Sequence, residues 1–185
     1  MTTRERSFYD LILSKRDTRL YAERALPEET LRRILQAGRM AGSARSSQPV
    51  RFILVRAQAQ KDALARCGDS TRQLPPAAAA VAIVLLPDQG QFDPLRATCF
   101  DGGRAAQNMM LTAWSEGITS CPVTMHRGAD AARVLGLPEG HEIEWVLCFG
   151  YPGGVDSSRE PRPRLPFEDF AFGERWGEGL SEGVR

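Results

Sequence analysis

Lys15-Arg16-Asp17-Thr18-Arg19 near one end of the chain and Arg162-Pro163-Arg164 near the other flank a small polar loop, Ser43-Ala44-Arg45-Ser46-Ser47-Gln48-Pro49. Guanidinium groups are planar, permanently charged and forked, so they match the oxygens of a phosphate. A fold that carries both ends of the chain to one anion would turn these segments into a single grip. Around the loop the order is basic quintet, amphipathic helix, Ser-rich loop closing on Gln48-Pro49, and strand.

Outward from those segments the hydrophobic pattern alternates between helix and strand periods. Ser7-Phe8-Tyr9-Asp10 reads as a capping box, with Phe8, Leu11 and Ile12 on one helical face that delivers the quintet. A second helix starts near Pro27, carries Glu28 and Glu29 where the helix dipole favours acids, and runs to Gly42. Leu31, Ile34, Leu35 and Gly38 form its buried stripe. Arg51 to Arg56 reads as a strand, Gln58 to Arg66 as a helix, and Leu74-Pro75-Pro76 as a turn. Ala77 to Leu86 is apolar throughout, the mark of a central strand covered on both faces.

Asp93-Pro94 can open another helix, and Asp101-Gly102-Gly103 is either a break or a place of close backbone packing. Ala105, Ala106, Met109, Met110, Ala113 and Trp114 then recur at helical spacing up to Gly117. Close helix–helix contact, within the chain or across a dimer, would offset the two glycines. Ala129 to Leu135 forms a short helix stopped by Gly136, and Ile143, Trp145, Leu147 and Phe149 alternate as a last strand. The expected fold is α+β: a mixed β-sheet flanked by helices, one domain over residues 1–185 with an extended arm from about residue 155. Phe167, Phe170, Phe172 and Trp176 in that arm are expected to dock on a groove, on this chain or a partner subunit.

Composition narrows the function classes. Hydrophobic content is 42% and charged content 25%, ordinary for a globular chain. The net charge of +1 gives no general electrostatic case for binding nucleic acid or a membrane surface. No apolar run reaches the roughly 18 residues of a membrane span, and Met1 to Arg6 lacks the apolar stretch of a signal peptide. Cys67, Cys99, Cys121 and Cys148 are widely spaced, without a CxxC or a nearby histidine pair. That argues against a metal site and for reduced thiols in a cytoplasmic protein. There is no GxGxxG and no Walker loop.

Taken alone, the quintet could be a solvated turn, the loop a lead-in to a strand, and the Pro-Arg segment a linker. Together they resemble another arrangement. Lys15-Arg16-Asp17-Thr18-Arg19-Leu20-Tyr21 is similar to the Arg-Arg-Ser/Asp-x-Arg-x-aromatic opening of the nitroreductase family of FMN enzymes. Ser43 to Pro49 resembles that family's Ser-x-x-Asn-x-Gln-Pro-Trp loop, with Ser46 in place of Asn and Val50 in place of Trp. Serine supplies only one of the amide's hydrogen bonds. Gly117 to Thr124 is similar to the family's Gly-Leu-Gly-Ser-x-Pro-Ile segment, and Pro161 to Asp169 to its Arg-x-Pro-Leu-Glu-Glu close.

The resemblance, which spans nearly the whole chain, implies a homodimer with FMN at its interface and NAD(P)H as electron donor. It assigns Lys15, Arg16, Arg162 and Arg164 to the phosphate, Asp17 to the ribityl chain and Arg19 to the pyrimidine edge. It places Ser43, Arg45, Ser46 and Gln48 near the flavin carbonyls and runs Pro122, Val123 and Thr124 along the ring. It implies no catalytic side chain, because the flavin carries the chemistry. The acceptor would be electron-poor, such as a nitroaromatic or quinone. Asp17 also occurs in the family's flavin-fragmenting branch, and a non-catalytic flavin-binding protein is a further alternative. Cys121 invites a thiol-nucleophile reading with His126, but no local signature accompanies them.

Overall fold

The computed structural model describes residues 7–87, 94–154, 163–181 and 183. Its elements are α1 (Phe8–Ser14), α2 (Glu28–Arg39), β1 (Val50–Val55), α3 (Gln58–Ala65), β2 (Ala79–Leu85) and α4 (Pro94–Ser115). β3 (Thr119–Thr124), α5 (Gly128–Leu135), β4 (Glu142–Gly150) and α6 (Phe167–Phe170) follow. The strands form a sheet in the order β1-β2-β4-β3, and each neighbouring pair runs antiparallel. The parallel component of the expected mixed sheet is an isolated bridge between Asp17 and Ser120.

β2 is buried at every position because it lies between two helical layers. Ala79, Val81, Ile83 and Leu85 face a core with Leu31 and Ile34 of α2 and Met109, Met110 and Ala113 of α4. Ala80 and Ala82 face the opposite core, with Leu64, Leu74, Ala131, Val146 and Cys148. The apolar run from Ala77 needed both layers.

Local signals set most of the helix ends. Ser7 and Asp10 close the capping box reciprocally at the start of α1. α2 stops at Arg39, three residues short of Gly42, and Met40 caps it. A Cβ on Gly38 would lie 2.9 Å from Met109 Cγ, so this glycine lets α2 approach α4. α4 runs unbroken through Gly102 and Gly103. The space at Gly102 is filled by Leu85 and Ile83 of the sheet, whereas a Cβ on Gly103 would meet nothing within 4 Å.

β3 is a strand without apolar alternation, because it is built of small polar residues and Pro122, and proline belongs on an edge. Among the described residues, the tail's Phe167, Phe170 and Trp176 dock on no groove of their own chain, being 56%, 76% and 89% exposed. Phe172 and Trp176 pack on each other, with ring centroids 4.6 Å apart.

Candidate functional site

The basic quintet leaves α1 and is pinned to β3. The Asp17–Ser120 bridge is accompanied by a hydrogen bond from the Thr18 amide to the Ser120 carbonyl at 3.1 Å. Lys15 Nζ pairs with the Asp17 carboxylate and lies 3.8 Å from Met110 Sδ on α4. Arg16 is exposed and donates through one terminal nitrogen to the Leu13 and Lys15 carbonyls, both at 2.8 Å. It thereby caps the end of α1, where a cation is favoured. Arg19 is half-buried beside Tyr21 and works against the upward shift of that phenol. Burial, the larger effect, drives the Tyr21 pKa up. The Tyr21 hydroxyl has no hydrogen-bond partner among the described residues.

Two sequence segments therefore meet: residues 15–19 and residues 119–124. Along β3, Pro122 and Thr124 are exposed, while Val123 is only 3% exposed and belongs to the core. Val123 can offer a ligand nothing but backbone. Cys121 is buried, and His126 Nδ1 accepts a hydrogen bond from the Asp69 amide at 3.1 Å. The histidine's ring is thus engaged away from the thiol.

The Ser43–Pro49 loop lies elsewhere. Its Ala44 amide donates to Asp101 Oδ2 of α4 at 3.0 Å, and the Gln48 amide donates to Ser43 Oγ at 2.9 Å. Arg51 reaches back to the Gln48 carbonyl at 2.8 Å. Arg45, Ser46 and Gln48 hold φ of 52°, 56° and 49°, in the left-handed region that disfavours non-glycine residues. Three such residues within four positions put strain in one exposed loop, as functional sites often do.

Asp101 and Met110, the α4 residues touched by the loop and by Lys15, are separated by roughly 13 Å along the helix at 1.5 Å per residue. One chain thus keeps quintet and loop apart. Beside the loop lies a cavity of about 580 Å³ that Ser43, Gln48, Arg51 and Asp101 help to line, with no residue of the quintet or of β3 among its walls. Arg164 is exposed just ahead of α6, and Arg162 lies outside the described residues.

Sequence reasoning missed two anchoring residues. Asp101 is 4% exposed, holds the Ala44 amide, and faces Arg104 at 3.6 Å. Its signal was the single acid in the stretch from Pro94 to Ser115. Gln73 is buried, donates to the Ser70 carbonyl at 3.2 Å and reaches to 3.9 Å from Cys121 Sγ. Nothing in its local sequence marks it.

An antiparallel sheet between helical layers, with a basic N-terminal segment bridged to its edge strand, defines an α+β protein of a known architecture. The chain belongs to the nitroreductase family, whose model matches residues 12–89 and 71–151. It is 28% identical over 169 residues to an NADPH-flavin oxidoreductase of Vibrio harveyi, covering 85% of this chain and 69% of the relative. It is also 28% identical over 170 residues to an Archaeoglobus fulgidus protein provisionally named NADH dehydrogenase/NAD(P)H nitroreductase, covering 90% and 97%. The structure of the Vibrio harveyi NADPH:FMN oxidoreductase complexed with NAD+ superposes with a TM-score of 0.82 at 25% identity, over 94% of this chain and 79% of that one. Nitroreductase A of Vibrio parahaemolyticus shares the fold with a TM-score of 0.84 at 24% identity, over 96% and 79%. Among the described residues, no helix is long and apolar enough to cross a membrane.

Proposed function

We propose that this chain is an FMN-dependent NAD(P)H oxidoreductase acting as a homodimer, with an electron-poor acceptor such as a nitroaromatic or quinone. The observation that carries the reading is the docking of the basic quintet against β3 through Asp17 and Ser120. It puts Lys15, Arg16 and Arg19 beside a strand whose Pro122 and Thr124 are open to a ligand.

The donor set fits FMN. Lys15, Arg16, Arg19 and Arg164 are cations suited to phosphate and to negative charge on a ring, and β3, as an edge strand, offers outward backbone N–H groups for carbonyls. When bound, FMN would supply the hydride-transfer chemistry that links NAD(P)H to the acceptor. The chain's own task is grip, orientation and electrostatics. Arg16 and Lys15 hold the phosphate, with Arg162 and Arg164 completing the hold. Arg19 favours negative charge at the pyrimidine edge, an attraction stronger in a partly dry site than in water. Asp17 orients Lys15 and accepts from the ribityl chain.

The separation of quintet and loop along α4 supports a two-chain site, in which Ser43, Arg45, Ser46 and Gln48 reach the flavin of a second copy. Apolar side chains left exposed on the single chain, among them Phe8, Tyr9, Leu13, Phe100 and the tail aromatics, support the same assembly. The test is an anaerobic titration of the purified yellow protein with NADPH. Bleaching of the flavin band, and its return on adding a quinone, is the expected result. A flavin band that NADPH and NADH both leave unchanged overturns the reading.

A further inference from the structure

Behind the candidate flavin site, on the buried face of β3, the register of the sheet sets two cysteines face to face. β3 and β4 pair antiparallel with Cys121 directly opposite Cys148. Directly opposed residues project to the same side of a sheet, so both thiols point into one core. That core holds Cys148, Val146 and Val123, and Tyr21 packs against it. Cys121 is 1% exposed and Cys148 is fully buried, and both are reduced. Opposed positions in an antiparallel pair have Cα atoms about 4.5–5.5 Å apart, inside the span of about 4.4–6.8 Å that a disulfide bridges. Neither Cys67 nor Cys99 lies in a paired strand.

We propose that Cys121 and Cys148 form a redox-modifiable dithiol, converted by a two-electron oxidant of the peroxide class into a cross-strand disulfide. The chemistry balances in two steps. The Cys121 thiolate attacks the peroxide, giving a sulfenic acid and releasing hydroxide or an alcohol. The Cys148 sulfur then displaces the hydroxyl group, forming the S–S bond and water. Two thiols lose two protons and two electrons, and the peroxide O–O bond takes up both electrons.

Position governs reactivity. Burial pushes the Cys148 thiol up, so it is protonated and unreactive while the sheet is closed. Cys121 sits on β3, an edge strand whose outer side is held only by the isolated Asp17 bridge and the Thr18–Ser120 hydrogen bond among the described residues, whereas Cys148 lies on the central strand β4. Edge strands open more readily than central ones, so Cys121 is the thiol an oxidant meets first. The resulting bond would tie the edge strand carrying Pro122 and Thr124 to the centre of the sheet.

The experiment treats the full-length protein with hydrogen peroxide, blocks remaining thiols with an alkylating agent under denaturing conditions, and maps tryptic peptides without reductant. Expected is loss of two of the four alkylatable thiols, with peptides 105–127 and 134–159 joined, lighter by two hydrogens, and separated again by dithiothreitol. Cys67 and Cys99 should be alkylated in full. A Cys67→Ser variant should still give the linked peptides, and a Cys148→Ala variant should not. Linkage of any other pair, or Cys121 and Cys148 both alkylated after peroxide has oxidised Cys67 or Cys99, overturns the proposal. So does oxidation of Cys121 to sulfinic acid with Cys148 still free. The readout counts thiols and needs no flavin, so it stands or falls separately from the cofactor reading.

Discussion

Arg16 uses one terminal nitrogen to cap α1 and leaves the rest of its fork toward solvent. If it grips phosphate, Arg16→Ala should weaken FMN binding by about 1.5–3 kcal/mol, the range for hydrogen bonds to charged groups and roughly 10- to 150-fold in Kd. Titration of flavin fluorescence would read this directly. Arg164→Ala should lose a similar amount by the same measurement. The strained loop makes a separate prediction about stability. Ser46 is exposed at φ 56°, where a β-branched side chain is poorly tolerated. Ser46→Val should therefore cost about 1–2 kcal/mol in denaturant unfolding, whereas Ser46→Gly should cost none of that strain. The loop's chemistry was visible in its small hydroxyl residues, but its geometry was not. Left-handed backbone is usually announced by glycine, and Arg45, Ser46 and Gln48 announce nothing.

A titrating residue offers a further check. The Asp69 carboxyl is held below its ordinary value, chiefly by the hydrogen bond from Arg127 at 2.8 Å. The unfolded chain therefore takes up this proton at higher pH than the folded one. The resulting stabilisation is full above about pH 4, the ordinary carboxylate value, and is lost as the pH falls through the lowered folded value. Arg127→Gln should shrink the acid-side loss of stability, as measured by thermal melting across pH. The arginine also ties the start of α5 to the end of α3 through the Arg66 carbonyl at 2.7 Å and the Gly68 carbonyl at 3.3 Å.

At the scale of elements, legibility followed hydrophobic contrast. α2 and β2 were readable because one has a clean apolar stripe and the other is apolar on both faces. β3 was not, since Thr119-Ser120-Cys121-Pro122 carries little contrast and its place at the sheet edge arises from pairing with β4. α4 shows why glycine pairs mislead. Gly102 and Gly103 lower helix propensity, yet packing over β2 carries the helix through them. A methyl at Gly102 would make ordinary contacts at 3.5 Å and 3.6 Å. Gly102→Ala should thus stabilise the chain by about 0.5–1 kcal/mol in chemical denaturation. Gly38→Val should do the opposite, by about 1–3 kcal/mol of overpacking against Met109.

For the whole molecule, the sequence marked the segments but not how they lie relative to one another. The quintet and β3 meet within one chain, while the Ser43–Pro49 loop is held two and a half turns away along α4. Sequence order carries no information about contacts between copies. The exposed aromatics of the tail pose the same problem, since their apolar area is visible in the sequence and their docking surface is not. A flavin shared between two copies of the chain requires a dimer that carries FMN. Sedimentation velocity of the FMN-loaded protein, recorded at the protein and flavin absorption bands together, tests it most directly. The prediction is one boundary at twice the 20.4 kDa chain mass, carrying one FMN per chain. Flavin sedimenting with a 20.4 kDa monomer, or a dimer that leaves FMN behind as free ligand, would contradict it.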